Sequence, residues 1–160
     1  MLAPIEHRVW IATAADCEQA AGLLFDFNRE FGEPTPPVAA LSRRLAALVE
    51  GGDTVVFLGG DGPDGVAVVR LRPAVWSEHL ECYLAELYVR PEMRGRGLGR
   101  AIMEAVLNEG RRLDADSIEI GVDEPDLGAR HLYESLGFTN RVGAGDEAVM
   151  YVYELSLRGR

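Results

Sequence analysis

Cysteine is scarce in this chain: only Cys17 and Cys82 occur. Two isolated thiols make neither a disulfide framework nor a cysteine-based ligand pattern. No apolar run is long enough for a transmembrane helix. The first ten residues carry Glu6, His7 and Arg8 and no apolar h-region, which argues against a secretory leader. There is no internal repeat and no low-complexity linker. Basic residues are also in deficit, 16 against 26 acidic ones, for a formal net charge of −10. Such a chain repels nucleic acid and anionic membranes at long range, so neither is expected as a partner. The remaining composition, 48% hydrophobic and 26% charged over 160 residues, is that of a soluble globular protein able to bury a core. The expectation is one domain over residues 1–160, in the cytoplasm. The acidity reads either as solubility alone or as attraction for a cationic acceptor such as an amine or polyamine.

Hydrophobic periodicity organises the chain. Residues 9–12 read as a short strand. Thr13 and Asp16 then make a capping-box-like pair, with Asp where Glu or Gln is usual. Ala20, Leu23, Leu24, Phe27 and Phe31 follow at helical spacing. Pro34, Pro36 and Pro37 break that helix, and Leu41, Leu45, Leu48 and Val49 mark a second one ending at Gly51-Gly52. Residues 54–58 and 66–71 are β-rich runs around a glycine- and aspartate-rich turn, hence an antiparallel hairpin. After a loop with Trp76 and His79, residues 82–89 form a fourth strand, 98–113 a helix, and 117–122 a fifth strand. Residues 126–136 form a short helix, and 138–142 and 147–155 the last strands. The order β-α-α-β-β-β-α-β-α-β-β predicts an α/β protein with a mixed sheet and helices on both faces. The strand-helix-strand unit over residues 82–122 demands a parallel pair.

The segment Arg94-Gly95-Arg96-Gly97-Leu98-Gly99-Arg100 carries the chemistry. Its glycines let the backbone turn tightly and approach a ligand without Cβ obstruction. It runs straight into a helix N-terminus, whose free N–H groups and positive dipole end suit an anion. Three arginines gather there in an otherwise acidic chain. The competing reading is an arginine-decorated surface turn. A dinucleotide G-x-G-x-x-G would need glycine at Arg100, and a P-loop would need a lysine that this segment lacks.

This segment resembles the signature R/Q-x-x-G-x-G/A of the GNAT N-acetyltransferase family, with Arg94, Gly97 and Gly99 on its fixed positions. The stretch Ala129-Arg130-His131-Leu132-Tyr133-Glu134-Ser135-Leu136-Gly137-Phe138 is similar to the family's second signature, A-x-x-L-Y-x-x-x-G-F. Arg29-Glu30-Phe31-Gly32 resembles a segment of aminoglycoside 3-N-acetyltransferases in the same family. The resemblance implies an acyltransferase that uses acetyl-CoA as co-substrate and leaves room for a homodimer. It also implies that the fourth and fifth strands splay apart to take pantetheine as a false strand against Leu87, Tyr88 and Val89. The N–H groups of Arg94, Gly95, Arg96, Gly97, Leu98, Gly99 and Arg100 would hold the pyrophosphate. Asp126 stands where the family often has Asn, which puts a contact from that position in doubt.

Attack of a neutral amine on a thioester needs a group to take the amine proton and a donor for the departing thiolate. Tyr133 is the expected general acid, because its ordinary pKa of about 10 keeps it protonated at neutral pH. The resemblance would turn its hydroxyl toward the sulfur. On its own it also reads as a core tyrosine on an apolar helical stripe. Glu86 is the expected base, directly or through water. It interrupts the apolar run Leu84-Ala85-Glu86-Leu87 and lies either beside the cleft, where burial would raise its pKa, or on the solvent face. Trp76 reads as an acceptor-loop residue or as a rim aromatic packed on the core. His131 is expected to be exposed. No His, Cys, Asp and Glu cluster has metal spacing, so no metal is expected. The implied reaction is transfer to a primary amine of a small acceptor. A protein or peptide amine, a non-catalytic acyl-CoA sensor and a nucleotide-binding oxidoreductase are the competing functions.

Overall fold

The change of period from helical to alternating at residue 54 marks where the sheet is built. A computed structural model describes residues 5–143 and 148–158. The chain divides into two compact units, residues 1–120 and 121–160. The first unit runs β1 (Val9–Ile11), α1 (Cys17–Glu30), α2 (Val38–Glu50), β2 (Thr54–Gly59), β3 (Gly65–Pro73), β4 (Leu80–Val89), α3 (Leu98–Arg112) and β5 (Ala115–Ile120). Its sheet has the order β1-β2-β3-β4-β5. All pairs are antiparallel except β4 with β5, the parallel pair that the helical crossover α3 requires.

Local chemistry explains the boundaries. The Thr13 N–H donates to the Asp16 carboxylate at 2.8 Å, so aspartate closes the box that precedes α1. Pro37 caps α2. Strands β3 and β4 are longer than their apolar cores suggest, because Pro73 and Leu80 still pair at the hairpin end. The fifth strand begins two residues earlier than expected. Asp114 turns the chain in the left-handed region (φ 56°), which lets Ala115 pair with Leu80 at once.

The sheet buries both faces. Ala20, Ala21 and Leu23 of α1 and Leu45 of α2 pack on Val56, Leu58, Val66, Val68 and Tyr88. On the other face, α3 contributes Leu98, Ile102, Met103 and Val106, all buried, and lies against β2, β3 and β4. Its first turn comes very close to the strands. Gly59 and Gly65 pair across the hairpin, and a Cβ on either would meet the Ile102 side chain at 2.8 and 2.6 Å. These two glycines let the helix start settle onto the sheet.

The second unit holds α4 (Leu127–Ser135) and a two-residue ladder, β6 (Arg141–Val142) against β7 (Ala148–Val149). This corrects the expected strands over 138–142 and 147–155. Phe138 continues the end of α4, its N–H donating to the Tyr133 carbonyl at 3.1 Å. The Arg141 N–H donates to Thr139 Oγ at 3.0 Å, a side-chain turn that delays pairing. The Met150 N–H still donates to the Asn140 carbonyl at 2.7 Å. Residues 151–157 continue the alternating pattern of a strand but belong to no ladder among the described residues and are exposed. Glu147 lies outside the described residues.

Replacing Gly59 by Val inserts a branched side chain against Ile102 and Leu98, which are fully buried and must shift to admit it. The expected loss of stability is about 1–3 kcal/mol, read from urea unfolding midpoints. An unchanged midpoint would show that α3 does not need this close approach.

Candidate active site

The arginine-glycine loop lies where the sequence places it, between β4 and α3. Pro91–Met93 form one 3-10 turn, and Gly95 and Gly97 then take positive φ, 72° and 88°. Gly97 is the N-cap of α3. These conformations suit glycine and disfavour other residues. Among the described residues nothing lies within 4 Å of a Cβ built on Gly95, and only His7 Nε2, at 3.9 Å, near one on Gly97. The loop is therefore an open cradle. Ala101 is the first residue of α3 whose N–H finds a helical acceptor, the Gly97 carbonyl at 3.0 Å. The N–H groups just before it have no helical acceptor available, as at any helix start. Glycine backbone, helix dipole and arginine side chains fit a pyrophosphate at this point.

Two contacts fix the loop from outside. His7 Nε2 lies 2.7 Å from the Arg96 carbonyl and must donate, which sets its tautomer. Arg94 is turned away from the cradle. Its Nε donates to the Val89 carbonyl at 2.9 Å, and its two Nη atoms donate to the Glu30 carboxylate at 2.7 and 2.8 Å. Its N–H donates to the Pro91 carbonyl at 3.2 Å. The sequence did not separate this bracing role from the phosphate-facing roles of the loop. Glu30 comes from α1, 64 positions earlier, and no local pattern announces the pair.

The expected splaying of the fourth and fifth strands takes the form of a ladder that stops where β5 ends. The β4–β5 ladder ends at Leu84 with Ile120, so residues 85–89 pair with β3 only. Leu87, Tyr88 and Val89 thus lie along an open strand edge, with the Val89 carbonyl already accepting from Arg94.

Glu86 owes its direction to an irregularity. In β4 the register shifts by one residue, Val68 facing Glu86 and Val69 facing Leu84. The extra residue, Ala85, is a bulge, and a one-residue slip exchanges the faces of every later side chain. Beyond it Glu86 and Tyr88 share the α1 and α2 face. Glu86 there lines an open pocket of about 100 Å³ with Leu24, Phe27, Asn28 and Leu41. Glu86 is exposed as a whole residue, yet its carboxyl is partly desolvated against this apolar wall, which raises its pKa above the ordinary value.

The remaining candidates divide. Tyr133 is 8% exposed and stands edge-on to Phe138, with ring centroids 5.8 Å apart. Burial, with a smaller effect of the Asp126 charge, pushes its pKa up to about 12. Asp126 caps α4, its carboxylate accepting from the Ala129 N–H at 3.1 Å, so that side chain has a structural task. His131 is exposed. Trp76 is 95% exposed, so it does not pack on the core. His79 pairs with Asp114 at 3.0 Å. Among the described residues no group of three or more His, Cys, Asp or Glu side chains converges as metal ligands would. Among them, too, no helix is long and apolar enough to cross a membrane.

The sequence profile of the acetyltransferase (GNAT) family matches residues 23–138. The chain belongs to that family. It is 33% identical over 144 residues to the mycothiol acetyltransferase of Thermobispora bispora, covering 84% of this chain and 43% of that protein. Over 52 residues, 32% of this chain and 30% of the relative, it is 33% identical to the L-amino acid N-acyltransferase MnaT of Escherichia coli. The chain thus spans less than half the length of these relatives. A crystal structure from Arthrobacter sp. FB24 with an acetyltransferase designation matches with a TM-score of 0.85 and 42% identity, over 98% of this chain and 99% of that one. An aminoglycoside acetyltransferase from a soil metagenomic sample shares the fold, with a TM-score of 0.75 at 18% identity over 94% of this chain and 97% of that one.

The raised pKa of Glu86 has a consequence for stability. The unfolded carboxyl ionises first, near pH 4.3 for a free glutamate. Above that value the native state binds more protons, and stability falls as pH rises to the folded pKa. Glu86→Gln is therefore expected to stabilise the protein at pH 7 and to lose that advantage at pH 4. Urea midpoints of both proteins at the two pH values measure it. An equal difference at both would contradict the desolvation.

Proposed function

We propose that this chain moves the acetyl group of acetyl-CoA to a primary amine of a small acceptor by direct attack in a ternary complex. The observation that carries the reading is the open glycine cradle at the start of α3 beside an unpaired edge of β4. The GNAT family generally uses acetyl-CoA, which supplies a thioester carbonyl as the electrophile. In this proposal the N–H groups of residues 95–100 hold its pyrophosphate, and the backbone of Leu87, Tyr88 and Val89 pairs with its pantetheine arm.

Glu86 is the proposed base. An amine is mostly protonated at neutral pH, and only the neutral form attacks. A carboxylate with a raised pKa is a better proton acceptor than an ordinary surface glutamate. The apolar walls from Leu24, Phe27 and Leu41 would hold the carbon stem of the amine while Glu86 or a water on it takes the proton. Tyr133 is the proposed donor to the leaving sulfur. With a pKa of about 12 it stays protonated throughout the working range. A cysteine-like thiol has a pKa of about 8.5. Tyr133 is the weaker acid, so it stabilises the thiolate by a hydrogen bond and keeps its proton at equilibrium.

A small-molecule acceptor agrees with the two curated relatives, named for acetylation of mycothiol and acylation of L-amino acids. The net charge of −10 favours a cationic one.

The test is thiol release from acetyl-CoA with a panel of primary amines, the acetylated product being identified by mass spectrometry. The chain contains no lysine, so the enzyme adds no side-chain amine of its own to the background. Release above the blank for at least one amine is expected; a panel without turnover, with acetyl-CoA bound, would leave an acyl-CoA-binding protein. With an acceptor in hand, Tyr133→Phe should lower kcat by about 10²- to 10³-fold and change the acetyl-CoA KM much less. Full kcat in the variant would return Tyr133 to a packing role.

A further inference from the structure

The signature arginine of the loop is engaged with α1. Arg94 makes a bidentate pair with Glu30 at 2.7 and 2.8 Å, donates to the Val89 carbonyl at 2.9 Å, and stands over the Tyr88 ring, its guanidinium carbon 5.6 Å from the centroid. The Tyr88 side chain lies near enough to the same Glu30 carboxylate to help lower its pKa. One turn earlier on α1, Asp26 reaches Arg90 at 3.5 Å. Arg90 and Arg94 bracket the 3-10 turn Pro91–Met93 that leads into the cradle. Two acidic residues on the last turns of α1 thus grip both ends of the segment that delivers the chain to Gly95. Between them Phe27 stacks on Tyr88, with centroids 5.1 Å apart and planes 17° from parallel.

We infer that Glu30 is a positioning residue for pyrophosphate binding: through Arg94 it fixes where the loop leaves β4 and hence where the first N–H groups of α3 point. The inference rests on the acetyl-CoA reading and deepens it. Two arguments support it. First, the pair is partly open, with side-chain exposures of 44% for Arg94 and 27% for Glu30. A surface ion pair contributes little to stability in general, but a bidentate guanidinium–carboxylate contact defines geometry. Second, the charge bookkeeping runs against a simpler role. A carboxylate paired to the loop's first arginine cancels positive charge next to a site for a dianionic pyrophosphate. Electrostatics alone would therefore make removal of Glu30 improve binding. A brace makes the same removal harm it, because loop geometry is lost. The two roles predict opposite signs.

The Arg94 contact also holds Glu30 ionised, since its pKa is lowered chiefly by that hydrogen bond. The brace is accordingly intact across the neutral range and weakens only in acid, as pH falls through that lowered value.

The experiment titrates CoA calorimetrically into the full chain carrying Glu30→Gln, Glu30→Asp, Arg94→Met, or Glu30→Gln with Arg94→Met, with folding checked by circular dichroism. Glu30→Gln keeps the size of the side chain, and Glu30→Asp keeps its charge. The expected result is about tenfold weaker binding for Glu30→Gln, part of it recovered in Glu30→Asp, and a double variant no weaker than Arg94→Met alone. With an acceptor available, the acetyl-CoA KM should rise while kcat stays within about twofold. Tighter binding by Glu30→Gln would overturn the inference and make Arg94 a phosphate ligand released from its counter-ion. Unchanged affinity with a lowered melting temperature would overturn it too, leaving a structural ion pair. A wild-type chain that binds no CoA would overturn both this inference and the function it rests on.

Discussion

The first turn of α3 can rest on β2 and β3 only because Gly59 and Gly65 face it without side chains. That close approach fixes the origin of the helix relative to the sheet. Fixing the origin fixes the N–H groups that no helical carbonyl can reach, and these are the groups that the proposed function assigns to an anion. The left-handed Gly97 then turns the chain sharply into the helix, so the last residues of β4 and the first of α3 border the same cradle. Side chains from a distance complete the arrangement: Glu30 acts through Arg94, and His7 holds the Arg96 carbonyl.

A second constraint acts in β4. Its outer residues lose their partner where β5 ends at Ile120, and one extra residue at Ala85 brings Glu86 round to the α1 and α2 face. Without the bulge Glu86 would point toward α3 and its buried apolar residues, where an ionised carboxylate is costly. With it, the carboxyl meets Leu24, Phe27 and Leu41 at an open pocket, desolvated enough to raise its pKa while still reachable from solvent.

Much of this was legible in the sequence because it rests on local chemistry. The cradle needs glycines at positions where φ is positive, and Gly95 and Gly97 announce them. The Thr13 and Asp16 pair, the hairpin turn and the helical stripes are also written in neighbouring residues. The family signatures added an order and a spacing that composition alone does not carry. What stayed hidden depends on residues far apart in the chain. The direction of Glu86 is set by pairing register with β3, and the orientation of Arg94 by a carboxylate 64 positions away. Trp76 looked like a packing aromatic, but nothing among the described residues covers it at the hairpin tip. Residues 147–155 looked like one strand, but only Ala148–Val149 find a ladder partner among the described residues, and a strand needs a partner as well as a pattern. Asp126 sits where the family often has Asn, and its carboxylate is engaged in capping α4.

The central claim is that the cradle at the start of α3 receives the pyrophosphate of CoA. The most direct measurement follows the backbone amides of uniformly nitrogen-15-labelled protein by NMR as CoA is added, with NADH as the control dinucleotide. The account predicts large, saturable shifts for the amides of residues 95–100 and for Leu87, Tyr88 and Val89 with CoA, and none of comparable size with NADH. Shifts that leave residues 95–100 unmoved while CoA binds elsewhere, or equal shifts with both ligands, would contradict it.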